Sequence, residues 1–194
     1  MDNVNVLKDY CIRCKMMGVK PYIDDAWLID IENDEIVLDW TDFWEKGGEI
    51  EGTTFSYLNW KSGLGISEDN WLKVPDGITK IRGGVFHNEH RVYKSICLDL
   101  NELKELQCLQ FHGISWIEHL KGNNIKKIHP SALNHMEYIK RIELESLSST
   151  DLTVEHLKGL PNGCQVYLDD IQTTVSKLKH ILFRNQLKSM GRQV

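Results

Sequence analysis

The stretch Val74–Phe86, VPDGITKIRGGVF, decides how the second half of the chain is read. A Pro-Asp-Gly turn leads into Ile78 and Ile81, then a Gly-Gly pair and an isolated Val85-Phe86. Two isoleucines three apart are too few for a helical stripe and too irregular for strand alternation. The stretch is intelligible as one unit of something that recurs, and it does recur. Isoleucine and leucine steps return at Leu103 (LKELQCLQF), Ile125 (IKKIHPSAL) and Leu152 (LTVEHLKGL), at intervals of 22 to 27 residues. At that period each unit is a short strand plus a return segment. It cannot bury its apolar face alone, so at least about three units must stack. Leu103–Phe111 and Ile139–Leu144 carry the strand spacing, which predicts Leu106, Leu109, Ile128, Ile142, Leu144, Val166 and Leu168 facing inward.

Outward from the repeats, residues 171–190 place Val175, Leu178, Ile181, Leu182 and Leu187 at helical spacing, which predicts a helix covering the last unit. On the other side, Val4, Leu7, Tyr10, Cys11, Cys14 and Met17 predict a first helix ending near Gly18. WLIDIENDEIVLDW, residues 27–40, reads as a hairpin turning at Glu32-Asn33-Asp34-Glu35. With Ile31 opposite Ile36, one face holds the apolar residues from Trp27 to Trp40, and Asp30 and Asp39 share the other. A Gly-rich stretch follows, with a strand expected at Thr53–Trp60.

The expected organisation is therefore α/β: a short solenoid with a parallel sheet over residues 71–175, an acidic α+β cap at 1–70, and a basic capping helix at 176–194. The chain has 194 residues with 41% hydrophobic content, enough for one sizeable core. No signal peptide or spanning segment is expected, and five cysteines, an odd number, fit reduced thiols better than a disulfide framework. A cytoplasmic location is the expectation. The net charge of −5 hides a polarity: residues 21–70 carry 13 acids against 2 lysines, or −11, leaving +6 elsewhere, and no acid follows Asp170.

The spacing I-x-x-I-x-L in IKRIEL, with L-x-x-L-x-x-L in LKELQCL, resembles the leucine-rich repeat superfamily. VPDGITKIRGGVF is similar to the irregular bacterial surface-antigen type, and TDLTVEHLKGLPNGCQVYLDDI to the cysteine-containing, ribonuclease-inhibitor-like type. The resemblance covers about residues 71–175. It departs from the usual asparagine ladder after LKELQCLQF, where His112 and Gly113 stand. What it implies is a parallel sheet used as a binding scaffold, chiefly for proteins, with no catalytic residues to transfer.

Sequence order offers no Ser-His-Asp or Cys-His grouping, and H-E-x-x-H, G-x-S-x-G and the phosphate-binding glycine motifs are absent. Cys11-x-x-Cys14 and His87-x-x-His90 supply zinc-type ligands, but about 70 residues separate the pairs and both cysteines belong to the apolar stripe of the first helix. They read as core cysteines, and neither a metal nor a cofactor is expected. The paired acids Asp24-Asp25 and Asp169-Asp170 read as solvated loop residues. The chain is thus expected to be a non-catalytic protein-binding module. The alternative is a small acidic inhibitor, such as a toxin immunity protein or a phage-encoded antagonist, and an enzyme or zinc protein ranks last. The expected partner is another protein, one with a basic surface for the acidic face; neither membrane nor direct nucleic-acid binding is expected. Candidate binding residues are Glu105, Gln107, Gln110, Lys140, Arg141 and Glu143 between inward positions, Trp116 and Tyr138 as aromatic anchors, and Asp30 with Asp39 on the hairpin.

Overall fold

A computed structural model describes residues 3–23, 27–33, 35–38, 71–74, 76–81, 96–111, 114 and 117–191. The chain opens with helix α1 (Asn3–Met16), ended by Gly18 at φ +69°. Strands β1 (Tyr22–Ile23), β2 (Trp27–Glu32) and β3 (Glu35–Leu38) follow as an antiparallel meander. The expected hairpin register holds, with Ile31 opposite Ile36 and Ile29 opposite Leu38. Asn33 takes φ +49° in the turn, the left-handed geometry that tight two-residue hairpin loops require. Ile29 and Ile36 are buried against the face of α1 that carries Cys11, and Cys14 is buried one turn further on. The strand expected at Thr53–Trp60 lies outside the described residues.

The repeats form a solenoid-like stack of about three turns. Five strands run parallel in one sheet: β4 (Trp71–Lys73), β6 (Ile96–Asp99), β8 (Ile117–Lys121), β10 (Arg141–Leu144) and β11 (Gln165–Leu168). Leu72, Leu98, Leu120, Ile142 and Val166 are successive register partners, so the coils advance by 26, 22, 22 and 24 residues. On the return side of the first three coils a shorter strand forms: β5 (Lys80–Ile81), β7 (Glu105–Leu106) and β9 (Lys127–Ile128). Here β7 pairs with β9 in parallel, and β5 pairs in parallel with β3, which joins the hairpin to the first coil. The apolar columns between the two sides make one continuous core, including Ile78, Leu103, Ile125 and Leu147 at equivalent steps.

Three expectations are corrected. Leu103–Phe111 belongs to the return side, and the main-sheet strand of that coil is Ile117–Lys121. The step after Ile125 is Leu147, not Leu152; both are buried, but Leu152 follows a 3₁₀ turn at Ser149–Asp151. Leu109 is 47% exposed, because at φ +55° it sits at the tip of a turn. The other six residues expected inward are buried.

Polar side chains stitch the coils together at the step four residues past the inward Leu98, Leu120, Ile142 and Val166. Glu102 accepts from Gly77 N–H at 3.0 Å, Asn124 donates to Asn101 C=O at 2.7 Å, and Ser146 donates to Ile125 C=O. Asp170 accepts from both Ser149 N–H and its hydroxyl, at 2.7 and 2.6 Å. In the correct register a ladder therefore exists, built from mixed residue types. At the far end, β12 (Gln172–Thr174) adds an antiparallel edge where a helix was expected from residue 171. Helix α2 (Val175–Ser189) then closes the stack with Val175, Leu178 and Leu182 buried. No helix among the described residues is long and apolar enough to cross a membrane.

Candidate functional site

Strand alternation sends Leu98, Leu120, Ile142 and Val166 into the core, so their neighbours line the outward face of the parallel sheet. Trp71, Cys97, His119, Arg141 and Gln165 form one row across it; Asp99, Lys121, Glu143 and Tyr167 form the next, with Lys73 at its head. In the described residues α1 packs on β2 and β3, and α2 packs on β12 and the 3₁₀ turns at residues 149–157, which leaves this face without a helix over it.

The face is tightly organised. Trp71 reaches past Cys97 to meet His119 edge-on, ring centroids 4.6 Å apart, and Lys121 Nζ lies 5.9 Å from the Trp71 ring. His119 Nε2 is 3.3 Å from Glu143 Oε1, a close approach without hydrogen-bond alignment. The Glu143 carboxylate also pairs with the Arg141 guanidinium, whose Cζ lies 4.1 Å over the Tyr167 ring. Lys121 pairs with Asp99 at 3.7 Å and Lys140 with Glu118 at 2.7 Å. The result is an aromatic residue at each end, with alternating, mutually neutralised charges between them.

Chemically, the two rows bring a thiol, an imidazole and a carboxylate (Cys97, His119 and Glu143) onto consecutive strands, a grouping that sequence order did not reveal. Its electrostatics run against nucleophilic use. Burial pushes the Cys97 thiol up and Glu118 adds to this, so the thiol is held protonated. Burial likewise lowers the His119 pKa, against the pull of Glu143. On the return side, His129 Nδ1 accepts from Ser131 N–H at 3.2 Å and lies 2.9 Å from its hydroxyl. Ser131 Oγ in turn accepts from Leu109 N–H at 3.2 Å, so this exposed pair serves as a turn cap. Among the described residues no group of three or more metal-type ligands comes together. His87 and His90 lie outside those residues.

Of the candidate residues, Arg141 and Glu143 fall on the outward face, and Lys140 reaches its margin through Glu118. Tyr138 is 63% exposed in the turn before β10. Glu105 and Gln107 lie on the return side, so they do not join the sheet face. Gln110 is fully buried: its amide oxygen accepts from Gln107 N–H and its NH₂ donates to Ile81 C=O of the preceding coil, which makes it a fastening between coils. Asp30 is paired with Lys15 at 2.8 Å. Trp116 and Asp39 lie outside the described residues. Sequence reasoning missed Trp71, His119 and Tyr167. Their signal was present: an aromatic or imidazole residue one place before or one place after an inward position of β4, β8 and β11, visible once the register is set by Gly122 and Leu147.

Compared with protein-family models, curated proteins and solved structures, the chain matches none.

Proposed function

We propose that this chain is a non-catalytic protein-interaction module of leucine-rich-repeat type, working in the reducing cytoplasm and binding its partner on the outward face of the parallel sheet. The observation that carries the reading is the set of Trp71, His119, Arg141 and Tyr167, spread over two adjoining rows of a face that no described helix covers. Trp, Tyr and Arg are the residues whose burial dominates binding energy, and a sheet fixed on both sides by coil-to-coil bonds holds them preorganised. Because Glu143 neutralises Arg141 and Asp99 neutralises Lys121, the face suits a partner that contributes shape and apolar contact rather than strong opposite charge. The acidic-inhibitor alternative has less support, since Asp30 already has a cation beside it.

The test is site-specific photo-crosslinking in cells. A crosslinker at Gln165, on the sheet face, should capture a discrete protein that is lost in the Trp71→Ala, Tyr167→Ala double variant. A crosslinker at Lys126, on the return side, should not capture it. Capture from Lys126 with nothing from Gln165, or capture indifferent to the double variant, would overturn the assignment.

A further inference from the structure

On the return side, the turn after β7 meets the turn after β9, and three reactive side chains come together there. Cys108 is exposed, and its Sγ lies 3.3 Å from Ser131 Oγ of the next coil, 23 residues on in the sequence. Ser131 Oγ is 2.9 Å from His129 Nδ1 and accepts from Leu109 N–H at 3.2 Å. Ser131 and His129 cap the turn, and the thiol joins them. Parallel pairing of β7 with β9 sets this juxtaposition, since Leu106 stands opposite Ile128 just before both turns.

The hydrogen bonds give the chain of protons a direction. His129 Nδ1 accepts from Ser131 N–H at 3.2 Å, so in the neutral ring the hydrogen sits on Nε2. The proton in the 2.9 Å contact must then come from the Ser131 hydroxyl. That leaves Oγ two lone pairs: Leu109 N–H takes one, and the Cys108 S–H is placed to take the other. The relay runs from sulfur through oxygen to nitrogen, the nucleophile-to-base arrangement with the base itself oriented by a third group, here the Ser131 N–H. We infer that Cys108 is a reactive thiol, deprotonated through Ser131 by His129, and that it forms a mixed disulfide with a low-molecular-weight disulfide.

The surroundings select this co-reactant. Acyl transfer needs donors aimed at a developing oxyanion, and the two backbone donors of the group, Leu109 N–H and Ser131 N–H, are already engaged by Ser131 Oγ and His129 Nδ1. Attack on a disulfide needs only a thiolate with access to one sulfur, which an exposed turn supplies. The second sulfur comes from a free molecule, because Cys11, Cys14 and Cys164 are buried and Cys97 lies on the outward face of the main sheet. In the step, the Cys108 sulfur bonds to one sulfur of the small disulfide and the S–S bond of that molecule breaks. Cys108 is oxidised and the departing sulfur is reduced. The departing thiolate takes back the proton that Cys108 passed to His129, so the step balances without a further oxidant.

The full chain should be mixed with excess oxidised glutathione at neutral pH, quenched with acid at intervals, and the modified cysteine located by peptide mass mapping. Cys108 should be modified first, with a single exponential. Ser131→Ala and His129→Ala should each slow it at least about tenfold, the lower part of what a positioned base contributes. Ser131→Thr, which keeps the hydroxyl, should retain most of the parent rate. A purely structural cap predicts the opposite direction: removing it loosens the turn, exposes the thiol further, and leaves the rate unchanged or raised. An unchanged or faster rate in either alanine variant, or first modification at Cys97, would overturn the inference. Should Ser131→Ala not fold, His129→Ala decides alone, since the bond from Leu109 N–H to Ser131 Oγ is kept in it.

Discussion

Gly159→Ala tests whether the coils stack as described. Gly159 has φ +71°, and an added Cβ would lie 2.7 Å from His135 Nδ1 and 2.9 Å from both His135 Cα and N. The obstruction is therefore largely backbone, which cannot rotate away. Placing alanine in the left-handed region costs about 1–2 kcal/mol by itself. Relieving the contact must push Lys158 and His135 apart, and His135 N–H donates to Lys158 C=O at 3.1 Å, a coil-to-coil bond worth about 1 kcal/mol net. Together these give a loss of about 2–3 kcal/mol. For a chain of this length that lowers the thermal midpoint by roughly 4–12 °C. Gly163 is the control, since it is exposed and a Cβ there meets nothing within 4 Å. Urea and thermal unfolding of the two alanine variants should separate them by that amount, with Gly163→Ala within ~0.5 kcal/mol of the parent. Equal stability of the two would show that the 135–159 contact is misplaced, and with it the stacking of the last two coils.

Leu144→Ala, at a position 2% exposed at the end of β10, should cost about 2–5 kcal/mol in urea unfolding. Gly122→Ala should also destabilise, because a Cβ there would meet Ile125 Cγ1 at 2.7 Å and Leu144 Cδ2 at 3.1 Å; the two changes should cost less together than their sum, since the first clears an atom that obstructs the second. His156 is buried, with Nδ1 accepting from Thr153 N–H at 2.9 Å and Nε2 directed to Ile128 C=O at 3.3 Å, and burial holds its pKa below the usual histidine value. The folded state therefore prefers the neutral ring, the unfolded chain takes up the proton first, and stability should fall as pH drops below about 6.5. His156→Gln should flatten that dependence between about pH 5 and 6.5, and an unchanged slope would refute the assignment. Burial pushes the Cys11 thiol to about 11 and the Cys164 thiol to about 12, so at neutral pH a maleimide should label the exposed Cys108 first and reach those two only on unfolding.

The local elements were legible because their information is local. The apolar pattern of residues 27–40 admits one hairpin register that buries Ile29 and Ile36, and the helical stripes of α1 and α2 end where glycine or polar residues interrupt them. The coil register was less legible, for a physical reason. The inward step filled by Val74, Leu100, Leu144 and Leu168 is occupied in the third coil by Gly122, because Leu100 and Leu144 from the neighbouring coils and Ile125 fill its space. A leucine search therefore passes over IEHLKG and settles on LKELQCLQF. The same slip hid Trp71, His119 and Tyr167, since which residues face outward follows from the register alone. Gln110 was misread because a side-chain amide buried between two backbone partners looks, in sequence, like any exposed glutamine.

Register also separates the charges that the fold requires from those it does not. Side chains at equivalent steps of adjacent parallel strands stand about 5 Å apart, so like charges in one row would repel. Lys73, Asp99, Lys121 and Glu143 alternate in sign along their row. Lys121 is bonded to Asp99, and Glu143 is bonded to Arg141 in the adjoining row. These charges need no explanation beyond stacking. Trp71 and Tyr167 are different: an aromatic on the outer face of the first or last parallel strand contributes little to a core it does not enter, and each has a cation beside it, Lys121 for one and Arg141 for the other. Lys177 is different again, since it acts against the helix it occupies. Residues that stability leaves unexplained therefore fall into two groups, aromatic on the sheet face and basic on α2.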